Sequence, residues 1–175
     1  MDLDRPLAPD PYAALPPVPS FALTSDDVVD GQTMAEPFTG AQDQSPHLSW
    51  DGAPPATPGF LVTCFDPDAP VPGGFWHWAV VDLPAGTPEL PRGAGAPDGA
   101  LLPPGARQLI NDAGTVGYTG AWPPRGDRVH RYFFVVHALD VAHLDVADDA
   151  APADVQRAAL EHTLARAVLV PVYQR

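Results

Sequence analysis

The chain has no lysine: its nine basic residues are all arginine, against 22 acidic ones, and the formal net charge is −13. Only Arg125, Arg128 and Arg131 lie close together in sequence. Unaided binding to nucleic acid or to an anionic membrane is therefore not expected, because polyanions reward clustered cations. The acidic excess reads as a solubility device. A single cysteine, Cys64, leaves no internal disulfide framework and points to a reducing, cytoplasmic location. It sits in an apolar run, so packing rather than reactivity is its expected role. No apolar stretch approaches the roughly 20 residues needed to span a bilayer. The N-terminus lacks a basic segment followed by an apolar one, so neither membrane insertion nor a secretory leader is expected. Glycine fingerprints for phosphate or dinucleotide binding are missing, and no serine stands in G-x-S-x-G. No cofactor is expected.

What is abundant is proline, 24 residues, with 15 glycines. Together they stay below the roughly 25–30% that marks low-complexity disorder. They do argue against long helices and for many stiff turns. At 175 residues the chain is long enough for one domain with a buried core. Residues 1–20, rich in Pro and Ala, read as an arm, disordered or laid extended on the body in a polyproline-like conformation. Residues 21–175 read as a single domain.

Short strands are expected at 21–24 and 45–50, the latter with Leu48 and Trp50 on one face and Trp50 in the core. Residues 60–65 form a continuous apolar, β-branched and aromatic run, and 76–83 form a second. Residues 84–105 are mostly Pro, Gly and Ala, a long connection with few anchors. A brief strand is expected at 107–110. Residues 129–139 (V-H-R-Y-F-F-V-V-H-A-L) are the clearest strand, with His130, Tyr132, Phe134 and Val136 on one face. After Asp140 a helix is expected. Pro152 suits a first turn and Asp154 its positive end, while Leu160, Leu164, Ala167 and Val168 fall on one helical face. Residues 168–173 look like a final strand. The class is mainly β with one or two short C-terminal helices. Strands 60–65, 76–83 and 129–138 are expected to be neighbours in one sheet.

The richest stretch is 66–78, D-P-D-A-P-V-P-G-G-F-W-H-W. Asp66 and Asp68 close one strand, and His77 stands near the start of the next. Pro67 and Pro70 stiffen the loop between them and keep it from being helical. On an extended backbone two acids two residues apart point to the same side. A second loop, from Gly120 through Trp122-Pro-Pro124, delivers His130 and Tyr132 at the mouth of the next strand. Each loop alone fits a solubilising surface turn. Two loops of the same design in one small β protein suggest convergence on a shared pocket. Two readings stay open on these residues. Asp66, Asp68, His77 and His130 offer two oxygens and two imidazoles to a metal, although no zinc or calcium spacing is matched. The other reading is recognition of a small polar ligand.

The chain resembles the phosphatidylethanolamine-binding proteins, in particular their bacterial Raf-kinase-inhibitor-like branch. Four motifs carry the resemblance in order. They are Ser45-Pro46-x-Leu48-x-Trp50, Asp66-Pro-Asp-Ala-Pro70, Trp76-His77 at a strand start, and Pro123-Pro124 followed by His130-Arg131-Tyr132. It runs over about residues 21–173. The resemblance implies a central antiparallel sheet packed against a smaller second sheet, and a small pocket for phosphate-like anions and head groups. Carried over by position, the lining is Asp66, Asp68, Pro70, His77, Gly120, Pro124, His130 and Tyr132. The chain departs from the family in having Trp122 where a small residue is usual, and Pro171 in place of a glycine before the last tyrosine segment. Trp122, set among turn residues, is expected at the pocket rim and partly exposed.

The resulting expectation is a non-catalytic binding protein for a small anionic or zwitterionic ligand, with a regulatory role as one candidate. The alternative is a metal-dependent hydrolase or lyase using Asp66, Asp68, His77 and His130. A protein partner, met through the arm and loops, and a homodimer are further candidates. Carboxylates beside the histidines favour imidazolium, while burial opposes it. A cationic His77 or His130 would face the phosphate, with the acids left for an ammonium group.

Overall fold

The computed structural model describes residues 5–175. Its centre is an antiparallel sheet built on β3 (Gly59–Asp66). This strand pairs on one side with β4 (Phe75–Pro84) and on the other with β8 (Phe133–Leu139). The short β6 (Arg107–Gln108) extends the sheet beyond β4, and β9 (Thr163–Leu169) extends it beyond β8. Every residue of β3 is buried, which is why its sequence is a continuous apolar run without polar alternation. Smaller strands β1 (Ala22–Thr24), β2 (Leu48–Asp51) and β5 (Glu89–Leu90) form a second sheet. A third pairing joins β7 (His130–Arg131) to β10 (Val172–Tyr173).

The pleat divides the core in two. Phe60, Val62 and Cys64 of β3 pack with Trp78, Phe134 and Val136 toward the second sheet, which contributes Leu48, Trp50 and Leu90. Trp50 is buried there, its ring centroid 5.5 Å from that of Phe60. Leu61 faces the other way, toward Val155 and Ala159 of the helix α1 (Pro152–Leu160). Each such buried aliphatic side chain contributes about 1.5–3 kcal/mol over its exposed state. Cys64 is fully buried and its thiol pKa is pushed well up by burial, in keeping with a packing role. No helix among the described residues is long and apolar enough to cross a membrane.

The structure corrects four sequence expectations. The helix stops at Leu160, and Leu164, Ala167 and Val168 belong to β9 instead. Ala165, Ala167 and Leu169 alternate inward there and pair with β8, so period two prevails over a helical spacing that the same residues also satisfied. The run 129–138 is broken at Tyr132: β7 pairs with β10, and only β8 joins the main sheet. Residues 84–105 are well anchored, since Leu90 and Ala94 are fully buried and Ser45 binds the backbone of Gly93 and Gly95. The fourth correction concerns Asp68 and belongs to the site.

The arm lies on the body along residues 5–20, and its residues 1–4 lie outside the described residues. Arg131 donates to the Ala8 carbonyl at 2.7 Å. The Tyr12 ring packs 6.0 Å from Phe133 and 6.1 Å from His137, with the Arg166 guanidinium 5.0 Å above it. A turn at residues 11–15 interrupts its extended course.

Candidate functional site

The 66–78 loop is bent by its own first residue. Asp66 ends β3, and its Oδ1 accepts the Asp68 N–H at 2.8 Å, so the chain turns at Pro67. That turn breaks the expected alignment of the two acids. Asp68 swings away to a bidentate pair with Arg131, Nε to Oδ2 at 2.8 Å and Nη2 to Oδ1 at 2.9 Å. Arg131 holds its carboxyl below the usual range, against the opposing effect of burial. At the loop's far end Gly74 has φ +76°, and a Cβ there would meet the Phe65 ring at 2.5 Å and the Asp66 carbonyl oxygen at 2.7 Å. Only glycine fits that approach.

Asp66 instead faces His130. His130 Nδ1 donates to Asp66 Oδ2 at 2.7 Å, and Nε2 donates to Asp127 Oδ2 at 3.0 Å. Both nitrogens can donate only in the imidazolium form. Burial on its own lowers the His130 pKa, but the hydrogen bond and charge of Asp66, then those of Asp127, carry it above its ordinary value. Asp127 is driven well below the carboxylate range, since its bonds to Arg5 and His130 outweigh burial. Arg5 reaches it from the arm, Nη1 to Oδ1 at 3.0 Å and Nη2 to Oδ2 at 2.8 Å.

His77, in β4, stands across the cavity. Its Nδ1 donates to the Thr119 carbonyl at 2.8 Å, which leaves Nε2 as an acceptor. Burial lowers its pKa, with Asp66 opposing. Tyr132 packs edge-on to it, with centroids 5.2 Å apart. The Tyr132 hydroxyl is buried without a hydrogen-bond partner, and burial, followed by the charge of Asp66, holds it protonated. No acceptor lies within good hydrogen-bond geometry of it, although the Asp66 carboxylate is close enough to add to the rise.

These groups surround one hollow of about 320 Å³. Asp66, Pro70, His77 and Gly120 line it, together with Trp122, Pro124, His130 and Tyr132. Asp68 does not; it borders a separate hollow beneath the arm, beside Arg5 and Arg128. Gly120 serves packing as well, since a Cβ there would meet Thr39 backbone atoms at 2.2 Å. Trp122 is 52% exposed at the rim, and the Arg175 guanidinium lies 3.8 Å above its ring.

Sequence reasoning missed Asp127, Arg5, Phe75 and Thr119. An acid three residues before His130, in a turn closed by Asp127 N–H on the Pro124 carbonyl, was a readable signal for Asp127. Nothing local marks Arg5. The metal alternative is not favoured: Asp68 is committed to Arg131 and both His130 nitrogens are bonded to carboxylates. Among the described residues no group of three or more His, Cys, Asp or Glu is arranged to hold an ion.

Comparison with known proteins bears on this site. The profile described as Phosphatidylethanolamine-binding protein matches residues 24–174. The protein YbhB of Escherichia coli K12 is 44% identical over 157 residues, covering 86% of this chain and 98% of that one. The crystal structure of E. coli YbcL, described as a new member of the mammalian PEBP family, superposes with a TM-score of 0.86 at 39% identity. That match covers 89% of this chain and 99% of YbcL. A homologue from Chlamydia trachomatis, CT736, superposes with a TM-score of 0.76 at 28% identity, covering 89% and 98% of the two chains.

Proposed function

The chain belongs to the phosphatidylethanolamine-binding protein family, a family of binding proteins, and on that footing we propose that it is a non-catalytic receptor for a small zwitterionic or anionic head group. The observation that carries this reading is His130, with a carboxylate oxygen at hydrogen-bond distance from each ring nitrogen, Asp66 at 2.7 Å and Asp127 at 3.0 Å, on the wall of a small hollow. A hollow of about 320 Å³ lies at the small end of the ligand-pocket range of roughly 300–1,000 Å³. It suits a head group better than a whole lipid.

The donors and acceptors fix how such a ligand is met. Both His130 N–H groups are already used, so its contribution to an anion is charge rather than a direct hydrogen bond. The direct donor is the unpartnered Tyr132 hydroxyl. His77 Nε2 and Asp66 are acceptors, suited to an ammonium. Phosphoethanolamine presents both ends, an anion for Tyr132 and His130 and a cation for Asp66 and His77. Two hydroxyls line the hollow: that of Thr119 donates to Asp43 Oδ1 at 3.5 Å, and that of Tyr132 is held neutral by burial.

Calorimetric titration of phosphoethanolamine and inorganic phosphate into wild type and His130→Ala tests this. Wild type is expected to bind phosphoethanolamine more tightly than phosphate, and the variant to bind both more weakly, by roughly tenfold or more for loss of one charged group. Equal affinities in wild type and variant would sink the reading.

A further inference from the structure

The arm and the hollow share one carboxylate. Asp127 Oδ2 accepts from His130 Nε2 at 3.0 Å and from Arg5 Nη2 at 2.8 Å. Arg5 Nη2 also donates to the Asp68 carbonyl and lies 3.4 Å from His130 Nε2. Asp66, His130, Asp127 and Arg5 thus form a line of alternating charge running from the ligand-facing wall to the arm.

The seating of the arm is specific. Arg128 donates to the Arg5 carbonyl, and Arg131 donates to the Ala8 carbonyl at 2.7 Å. The captured carbonyls are three residues apart, and so are the arginines that capture them. Pro6 and Pro9 keep the same spacing, which is the repeat of a polyproline helix. Recognition at that repeat is how proline-rich segments dock on folded domains. Arg131 lies in β7 beside His130 and Arg128 stands two residues before it, so the arm is pinned to the site's own backbone.

We infer that Arg5 is a positioning residue of the ligand site, fixing Asp127 and through it the setting of His130, so that seating of the arm and occupancy of the hollow by an anionic or zwitterionic group are linked. The inference rests on the reading of the hollow as a ligand site. With Arg5 seated, the two carboxylates and two cations of the line sum to zero, and a phosphate approaches without net repulsion. With Arg5 lost, the line is left with one excess negative charge next to the hollow. Affinity for an anion then falls, and by reciprocity a bound anion holds the arm down. The charged and titratable groups around His130 are Asp66 at the end of β3, Asp127 before β7, Arg5 on the arm, His77 on β4, Tyr173 opposite on β10 and Tyr132 in the hollow, with Arg128 and the Arg131–Asp68 pair alongside. Of these Arg5 is the nearest positive charge, so its removal favours imidazolium at His130.

The test uses full-length Arg5→Gln and Arg5→Lys. The His130 titration is followed by NMR in ligand-free protein, and inorganic phosphate is then titrated calorimetrically. In Arg5→Gln the His130 midpoint should rise and phosphate affinity should fall by roughly threefold to tenfold, the scale of one nearby, partly screened charge. Arg5→Lys should lie between the two, keeping the charge but losing the fork. An unmoved His130 midpoint in Arg5→Gln, or an unmoved phosphate affinity, would overturn the inference. Wild type that binds no phosphate would overturn the ligand-site reading instead, and the ligand-free titrations would still decide whether Arg5 acts on His130.

Discussion

The two sides of the hollow each present a histidine, and the two have pKa values shifted in opposite directions. On the β4 side His77 hydrogen-bonds a backbone carbonyl, so burial prevails and the ring is held neutral. On the β7 side His130 is as deeply buried, but two carboxylates bond its two nitrogens and prevail over burial. The partner on each ring nitrogen decides, a carbonyl dipole in one case and full negative charges in the other. On the proposed reading, a cavity with a cation-favouring wall set against an accepting one suits a ligand with two unlike ends.

The largest break in this contrast should come from Asp127→Ala. It removes one carboxylate from His130 and the partner of Arg5 together, leaving buried charge uncompensated. Denaturant unfolding should show a loss of about 3–5 kcal/mol. His77→Gln, which removes no charge, should lose clearly less. Asp66→Asn comes next: the His130 midpoint should drop, because its strongest partner becomes neutral.

The pH dependence of stability sharpens the contrast without mutation. A folded His130 with raised pKa contributes stability that is present below about 6.5 and lost as pH rises through the raised value. His77, with lowered pKa, contributes with opposite sign: its share is present above about 6.5 and lost as pH falls. His137, pushed down to about 3 chiefly by burial, adds to the acid-side loss. Thermal unfolding across pH should therefore show losses on both flanks, and Asp66→Asn should flatten the alkaline one. The smallest effect is expected from Trp122→Ala. A half-exposed rim residue should change stability by no more than about 0.5 kcal/mol, while altering which ligand sizes the calorimeter detects.

Much of the fold, and part of the hollow's lining, can be read from the chain. The apolar run 60–65 forms the central strand because it is buried on both faces, and its loop carries Asp66 and Pro70 to the hollow. Trp50 and Trp122 differ in burial as their strand and turn contexts imply. The misreadings have physical causes. Asp68 looked like a partner of Asp66 only on an extended backbone, and the Asp66 side chain itself bends that backbone. Residues 163–169 satisfy helical and strand periods alike, and pairing with β8 decides between them. Arg5 lies 122 positions from Asp127 in sequence, and no local pattern encodes so distant an ion pair. Which histidine carries the charge was likewise beyond reach, since it depends on Asp127 and on a carbonyl from Thr119.

The opposed pKa shifts of the two histidines can be measured in one sample. NMR titration of the ring protons of His77 and His130 in ligand-free wild type gives both midpoints side by side. The expected result is His130 titrating above the ordinary value of about 6.5 and His77 below it. Coincident midpoints, or His77 the more basic of the pair, would contradict the division of the hollow into a cationic and an accepting wall.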